Sequence, residues 1–347
     1  MTGRGPVLAA VAVAMCLAVA GCSSSGSSPS GSSPTGASAA STSSSADSAA
    51  FPVTIDSAVG KATITTAPKR VVAIGWGSQD VALALGVVPV GMQDLSGDTG
   101  VDSGIMPWDS PKLKGAEPAL LKYTTGDVPY EQIAALRPDV ILAVDSGVTT
   151  AEYAKLTKIA PTVGYPGKPW LTSWQDQLSI VGKALGRSAE AARLKAQTDA
   201  LIARAKADHP EFAGKTVAFG SGTTTSAFNL YLATDSRVQL LHELGFAVSP
   251  SLPSSAASFA VPLSLEKLNT INADVLVAWY LSASVRKQIE SSALFDKIPA
   301  VARKGYVPLT DPSMVYATSA VSVLSLPWML DRYLPLLSAA AQGKGAS

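Results

Sequence analysis

The side chains able to do covalent or metal chemistry are few, and their spacing does not gather them. Cys16 and Cys22 both lie at the N-terminus, so the body has neither a disulfide nor a thiolate metal site. His209 and His242 are the only imidazoles and form no cluster of the His-and-carboxylate kind that zinc or manganese requires. No Gly-x-Ser-x-Gly elbow, P-loop or metal-binding His pair is present. Gly75-Trp76-Gly77 lacks the third glycine of a dinucleotide fingerprint, and Ser221, flanked by glycines, has no local base. The pattern argues against an enzyme, so no catalytic residue, cofactor or protein-bound metal is assigned. What remains is recognition chemistry. Aromatic side chains with a polar edge sit beside glycines that let a ligand approach the backbone.

Short apolar strands alternate with helices along the body, which argues for an α/β lobe with a largely parallel sheet. Arg70 to Gly75 reads as a buried strand, and Ser78 is placed to cap a helix that Gly86 stops. A helix over Glu131–Leu136 precedes a strand over Val140–Val144. The order then recurs. Thr216–Gly220 matches Val71–Gly75 in pattern, and Leu244-Gly245 repeats Leu85-Gly86. Glu266–Ala278 aligns without gaps on Glu131–Ala143, with Glu, Asp, Val and Ala at shared places. Between the halves, Ser173 starts a helical stretch whose apolar stripe is Trp174, Leu178, Val181 and Leu185. Gly186 interrupts it before a run of strong helix formers.

These features divide the chain into a leader (1–21), a tether (22–50), a first lobe (51–172), an interlobe helix (173–208), a second lobe (209–338) and a tail (339–347). Lys+Arg is 27 and Asp+Glu is 26. A near-neutral chain without a basic run argues against a nucleic-acid partner. Arg4, the apolar run Val7–Ala20 and Val19-Ala20-Gly21-Cys22 form a leader too short for an ordinary membrane span. The closing residues resemble the lipobox of bacterial lipoproteins, which implies that Cys22 becomes the lipidated first residue and carries fatty acyl chains such as palmitate. Residues 23–50 are Ser, Gly, Ala, Pro and Thr, with Asp47 the only charge. Such a segment cannot bury a core and spans roughly 30 Å r.m.s. as a flexible tether.

The body resembles the solute-binding proteins of ABC importers that capture ferric siderophores, cobalamin or haem, in particular actinobacterial iron-siderophore lipoproteins. The motifs are Ala67-Pro68-Lys69-Arg70-Val71-Val72, Ile133-Ala134-Ala135-Leu136-Arg137-Pro138-Asp139-Val140-Ile141, Ile159-Ala160-Pro161-Thr162-Val163, Ser264-Leu265-Glu266 and Ser325-Leu326-Pro327-Trp328. The resemblance implies two Rossmann-like lobes joined by one long rigid helix, with the ligand cleft between them. It implies capture of a ferric siderophore at the outer face of the cell membrane. Delivery would go to a permease and its ATPase, by a monomer that meets the membrane only through its lipid anchor. Haem or cobalamin is the alternative cargo, with Tyr280 or Tyr316 as an axial ligand if haem. It also implies that Glu131 and Glu266, one per lobe, pair with permease arginines. A helix that precedes a parallel strand starts at the cleft end of the sheet, so both would share one rim.

Ligands of open α/β sheets bind beyond the carboxyl ends of the strands. That rule selects Gly75–Ser78, Asp145–Gly147, Gly220–Thr223 and Trp279-Tyr280. The candidate ligand contacts are Trp76, Trp108, Trp170, Phe228, Tyr231, Arg237 and Tyr280. Trp279 is expected to face the core, since strand neighbours alternate sides. Trp108 sits in a Gly- and Pro-rich stretch with little core to join. Arg237 opens a helix, where the macrodipole disfavours a cation, which suggests placement for a ligand. A salt bridge to Asp235 is the alternative, and Ser236 stands where relatives resembling this chain have Pro. With one cation placed, the pattern leans to a hydroxamate or mixed siderophore.

Overall fold

The computed structural model describes residues 50–124, 126–256 and 258–345. The expected leader, Cys22 and all of the tether but its last residue lie outside the described residues.

A hairpin of β1 (Val53–Ser57) and β2 (Gly60–Ile64) opens the body. Strand and helix then alternate through β3 (Val71–Ala73), α1 (Ser78–Ala84), β4 (Gly91–Gln93), α2 (Ser96–Thr99), α3 (Ser110–Leu113) and β5 (Ala119–Leu121). They continue through α4 (Tyr130–Ala135), β6 (Val140–Leu142), α5 (Thr150–Leu156) and β7 (Thr162–Val163). The sheet order is β5-β4-β3-β6-β7, parallel throughout. Val71, Val72 and Ala73 are fully buried, as a parallel strand covered on both faces must be.

Two helices follow, α6 (Trp174–Ala184) and α7 (Ser188–Asp208). The break between them lies at Gly186, where the sequence places an interruption; its φ of +65° ends α6. The predicted stripe Trp174, Leu178, Val181 and Leu185 is buried, and α6 packs on α1 of the first lobe. The crossing element proper is α7, about 31 Å long at the usual rise. It buries only Ala191, Thr198, Ile202 and Ala205.

The second lobe comprises β8 (Thr216–Gly222), β9 (Ala227–Tyr231), α8 (Ser236–Glu243), β10 (Ala247–Val248), β11 (Ala260–Ser264) and β12 (Val275–Tyr280). It closes with α9 (Ala283–Glu290), α10 (Pro299–Ala302), β13 (Tyr306–Leu309), α11 (Pro312–Ser319) and α12 (Ser325–Ala341). Its sheet order is β11-β9-β8-β12-β13, with β10 beside the start of β8. This sheet is largely parallel, with β9 alone running against the other strands. The short link between β8 and β9 cannot make a crossover, so β9 returns antiparallel and β11 reverses again.

The internal repeat has a physical basis. Asp139 accepts the N–H groups of Lys69 at 2.8 Å and Arg70 at 2.9 Å, and its own N–H donates to the Arg70 carbonyl. Asp274 accepts the N–H of Thr216 at 2.8 Å and donates to its carbonyl. Each aspartate thus pins the start of the neighbouring central strand. Val71 faces Val140, and Val217 faces Val275. The equivalence is therefore Val71 with Val217, one residue away from the match that sequence pattern suggests.

A continuous apolar core reaches across both lobes through α6, α7 and α12, and includes Trp174, Ile202, Leu326 and Tyr333. Within it lies a buried acid pair. Asp80 of α1 accepts from Trp108 Nε1 at 2.7 Å and from Ser322 Oγ of the second lobe at 2.5 Å. Asp109 is fully buried beside it. Burial pushes both carboxyls up, and the charge of Asp80 pushes Asp109 further. Because Asp80 already receives two donors, Asp109 holds the proton that the pair shares.

The unfolded chain releases that proton near pH 4, whereas the fold retains it well above. Its contribution is therefore complete below about pH 4 and is lost as pH rises through the raised value. Asp109→Asn keeps a donor in place at every pH. Its Tm should equal or exceed wild type at pH 7.5, with the difference shrinking toward pH 4 in a thermal-unfolding series.

Candidate functional site

The first lobe contributes a half-buried tryptophan, Trp76, on a tight turn. Gly75 and Gly77, at φ +82° and +74°, flank Trp76. Gly75 N–H donates to Gln93 Oε1 at 2.9 Å, and Trp76 N–H donates to the Asp145 carbonyl at 2.7 Å. A Cβ on Gly75 would stand 2.5 Å from that carbonyl oxygen, so only glycine lets the β3 and β6 loops meet. Trp170 packs on Trp76 with ring centroids 4.9 Å apart. Ser78 does not cap α1; Gly77 occupies the cap position, and Ser78 Oγ accepts the Val144 N–H instead.

The second lobe supplies the facing wall. Trp279 and Tyr280 are the last residues of β12, and both line the cleft. Trp279 thus departs from the expected core position; its Nε1 donates to Tyr231 Oη at 3.1 Å. Beyond β12, Ser282 caps α9 through the Val285 N–H, which sets Arg286 on the cleft rim. Beyond β13, Asp311 caps α11 through the Met314 N–H at 2.8 Å, which turns Val315, Tyr316 and Ser319 inward. The resulting cleft is about 660 Å³ in volume, with Trp76 on one side and Trp279, Tyr280 and Tyr316 on the other. That size suits a small organic ligand, whose usual sites run from about 300 to 1,000 Å³.

Several sequence candidates sit behind this surface. Trp108 is buried, bonded to Asp80 and stacked on Tyr316 at 6.3 Å. Its loop does have a core to join, because a buried carboxylate receives the indole N–H. Phe228 is fully buried, and a Cβ on Gly220 would collide with its ring. Gly222 likewise makes room for Tyr280 and Ile289. Both glycines belong to strand β8, and they accommodate side chains there, not a ligand. Tyr231 is also buried and supports Trp279.

Arg237 lies beneath the floor, 4 % exposed. Its Nη1 donates to both oxygens of Asp235, at 3.0 and 2.8 Å, and its Nε to Ser319 Oγ at 3.3 Å. The guanidinium lies 4.3 Å from the Tyr231 ring centroid and 5.9 Å from that of Trp76. Asp235 also caps α8 by accepting the Arg237 N–H. The salt bridge explains why a cation is tolerated at this helix start. Nearby, burial pushes the Asp145 carboxyl up to about 7, against the opposing pull of the Thr172 N–H and Arg237.

Glu131 and Glu266 are both exposed. Glu131 is the second residue of α4. Glu266 opens a 3₁₀ stretch, Leu265–Thr270, where an α-helix was expected. β11 runs in the same sense as β8, so both glutamates follow the carboxyl end of a strand in their lobe. Sequence reasoning missed the α2 segment, with Gly97 and Thr99, and also Arg286, Val315 and Ser319 on α9 and α11. The available signal was cap chemistry: Ser282 and Asp311-Pro312, each just after a strand.

Residues 71–313 match the periplasmic binding protein family. The chain is similar in structure to the iron uptake ABC transporter substrate-binding protein PiaA of Streptococcus pneumoniae TIGR4. Identity is 34 %, the TM-score is 0.74, and the match covers 84 % of this chain and 100 % of that one. A structure of PiaA in complex with ferrichrome matches at 33 % identity with a TM-score of 0.74, covering 84 % of this chain and 99 % of that one. The Fe(3+) dicitrate-binding periplasmic protein FecB of Escherichia coli K12 is 28 % identical over 266 residues, 74 % of this chain and 82 % of its own length.

Gly75→Ala forces a left-handed backbone on an L-residue and a collision with Asp145, and should cost roughly 1–3 kcal/mol. Gly97→Ala, in open space on α2, is the control and should be near neutral. Urea unfolding of both variants measures the difference.

Proposed function

The chain belongs to the periplasmic binding protein family, and we propose that it captures a ferric siderophore and delivers it to an ABC permease and its ATPase. The observation that carries this reading is the cleft of about 660 Å³ walled by aromatic rings from both lobes. An iron wrapped by an organic chelator needs shape and polar edges from the protein, and no ligand atom on the metal. Trp76 and Tyr280 are the principal contacts, with Trp279 and Tyr316 completing the walls. Trp170 backs Trp76, while Trp108, Phe228 and Tyr231 hold the walls from behind. Arg237, paired with Asp235 and bonded to Ser319, braces the floor from beneath. The protein binds and releases; it does not alter its cargo, and different affinities of the open and closed lobes do the work.

Haem is less well suited. Its iron would want a phenol oxygen, and that of Tyr280 already accepts a hydrogen bond from Tyr306.

Glu131 and Glu266 serve as the docking charges, one on each lobe at the cleft end of its sheet. Cys22 carries the lipid anchor, which holds a monomeric receptor at the extracytoplasmic face of the cell membrane, within reach of its permease. Acyl chains contribute about 0.8 kcal/mol per buried CH₂, so several together give stable attachment.

Tryptophan-fluorescence titration of the purified protein should show saturable quenching by a ferric siderophore, and Trp76→Ala should weaken it at least tenfold. Charge reversal of both Glu131 and Glu266 should abolish cellular iron uptake while leaving the titration unchanged; normal uptake would reject the docking role. Cys22→Ala should release the protein from the membrane fraction and remove the lipid mass increment.

A further inference from the structure

Every cation at this cleft arrives with its own carboxylate. Among the described lining residues, Arg286 is the one with a formal charge. Its Nε donates to Glu290 Oε1 at 2.7 Å, and both side chains are partly exposed. Beneath the floor, Arg237 is closed by Asp235, with Asp145 of the first lobe acting on it as a second negative group. Lys287 follows Arg286 on α9 but flanks a shallow outer depression, not the cleft.

The hydroxyl network on the same wall has a definite polarity. Tyr306 Oη lies 2.8 Å from Glu290 Oε1 and 2.7 Å from Tyr280 Oη. Tyr306 is the donor in both contacts, so its one proton is shared between the Glu290 carboxylate and the Tyr280 oxygen. Glu290 thus does two things: it neutralises Arg286, and it accepts from the Tyr306 hydroxyl that ties Tyr280 to the wall.

A highly anionic chelate entering such a site would lose hydration and meet no uncompensated positive charge. A neutral chelate loses far less. We propose that the cleft selects ferric chelates of zero net charge, the ferric trihydroxamates, and that Glu290 enforces the choice by neutralising Arg286. This rests on the reading of the protein as a ferric-chelate receptor and specifies its ligand class.

The test titrates the purified protein with a neutral ferric trihydroxamate, a trianionic ferric tricatecholate and ferric dicitrate. Wild type should bind the trihydroxamate at least tenfold more tightly than either anionic complex. Glu290→Gln, which leaves Arg286 uncompensated, should narrow that ratio about tenfold. Arg286→Gln, which leaves Glu290 uncompensated, should widen it, and serves alone if the first variant does not fold. Equal or tighter binding of an anionic complex by wild type overturns the selectivity and leaves ferric-chelate capture standing. An unchanged ratio in a folded variant removes Glu290 from the account. Binding of none of the three overturns the capture reading itself.

Discussion

Each central strand pair of this protein is set by an aspartate that takes backbone N–H groups from the strand beside it. Asp139 binds Lys69 and Arg70, and Asp274 binds Thr216. A charged acceptor for backbone donors is one of the stronger polar contacts available to a fold. It fixes β6 against β3 and β12 against β8 at their amino ends. The opposite, carboxyl ends then stand level, and the turns that leave them meet at one gap. Trp76 after β3 and Tyr280 at the end of β12 face each other because those registers are fixed upstream.

The two lobes are then joined by more than apolar contact. Asp80 of the first lobe receives Ser322 of the second, and Trp108 stacks on Tyr316 and meets Trp328 at a tilt. Buried polar groups of this kind are costly unless every donor and acceptor is answered. A shared proton between Asp80 and Asp109 answers one of them. The aromatic layer behind the cleft wall therefore depends on a polar contact that spans the lobes. Arg237, tied to Asp235 and Ser319, performs a similar task under the floor.

Architecture and selectivity separate cleanly here. Chains of similar fold carry names that refer to ferrichrome or ferric dicitrate, ligands of quite different charge. The lobes and crossing helix supply the cleft; the end of β12 and the helices α9 and α11 line one side of it. The one ion pair at the described wall, Arg286 with Glu290, is tied to the strands through Tyr306.

Much of the architecture was legible in the sequence because it follows from local pattern. Alternating apolar strands and helices, the stripe on α6, and the repeated Glu and Asp positions depend on neighbours within a few residues of one another. The register of the repeat did not follow, because pattern alone places Thr216 opposite Val71, and only the Asp139 and Asp274 contacts reveal the one-residue offset. The antiparallel β9 depended on a link length that composition does not mark. At the site, glycine spacing pointed to Trp76, which stands on a turn lining the cleft. The same signal misled at Gly220 and Gly222, which clear space for Phe228 and Tyr280. A glycine in sequence reports a close approach without saying what approaches. Which aromatic is wall and which is support, and which cation is already neutralised, depends on residues far apart in the chain, such as Asp80 with Ser322 and Arg237 with Ser319. Those pairings exist only once the two lobes have come together.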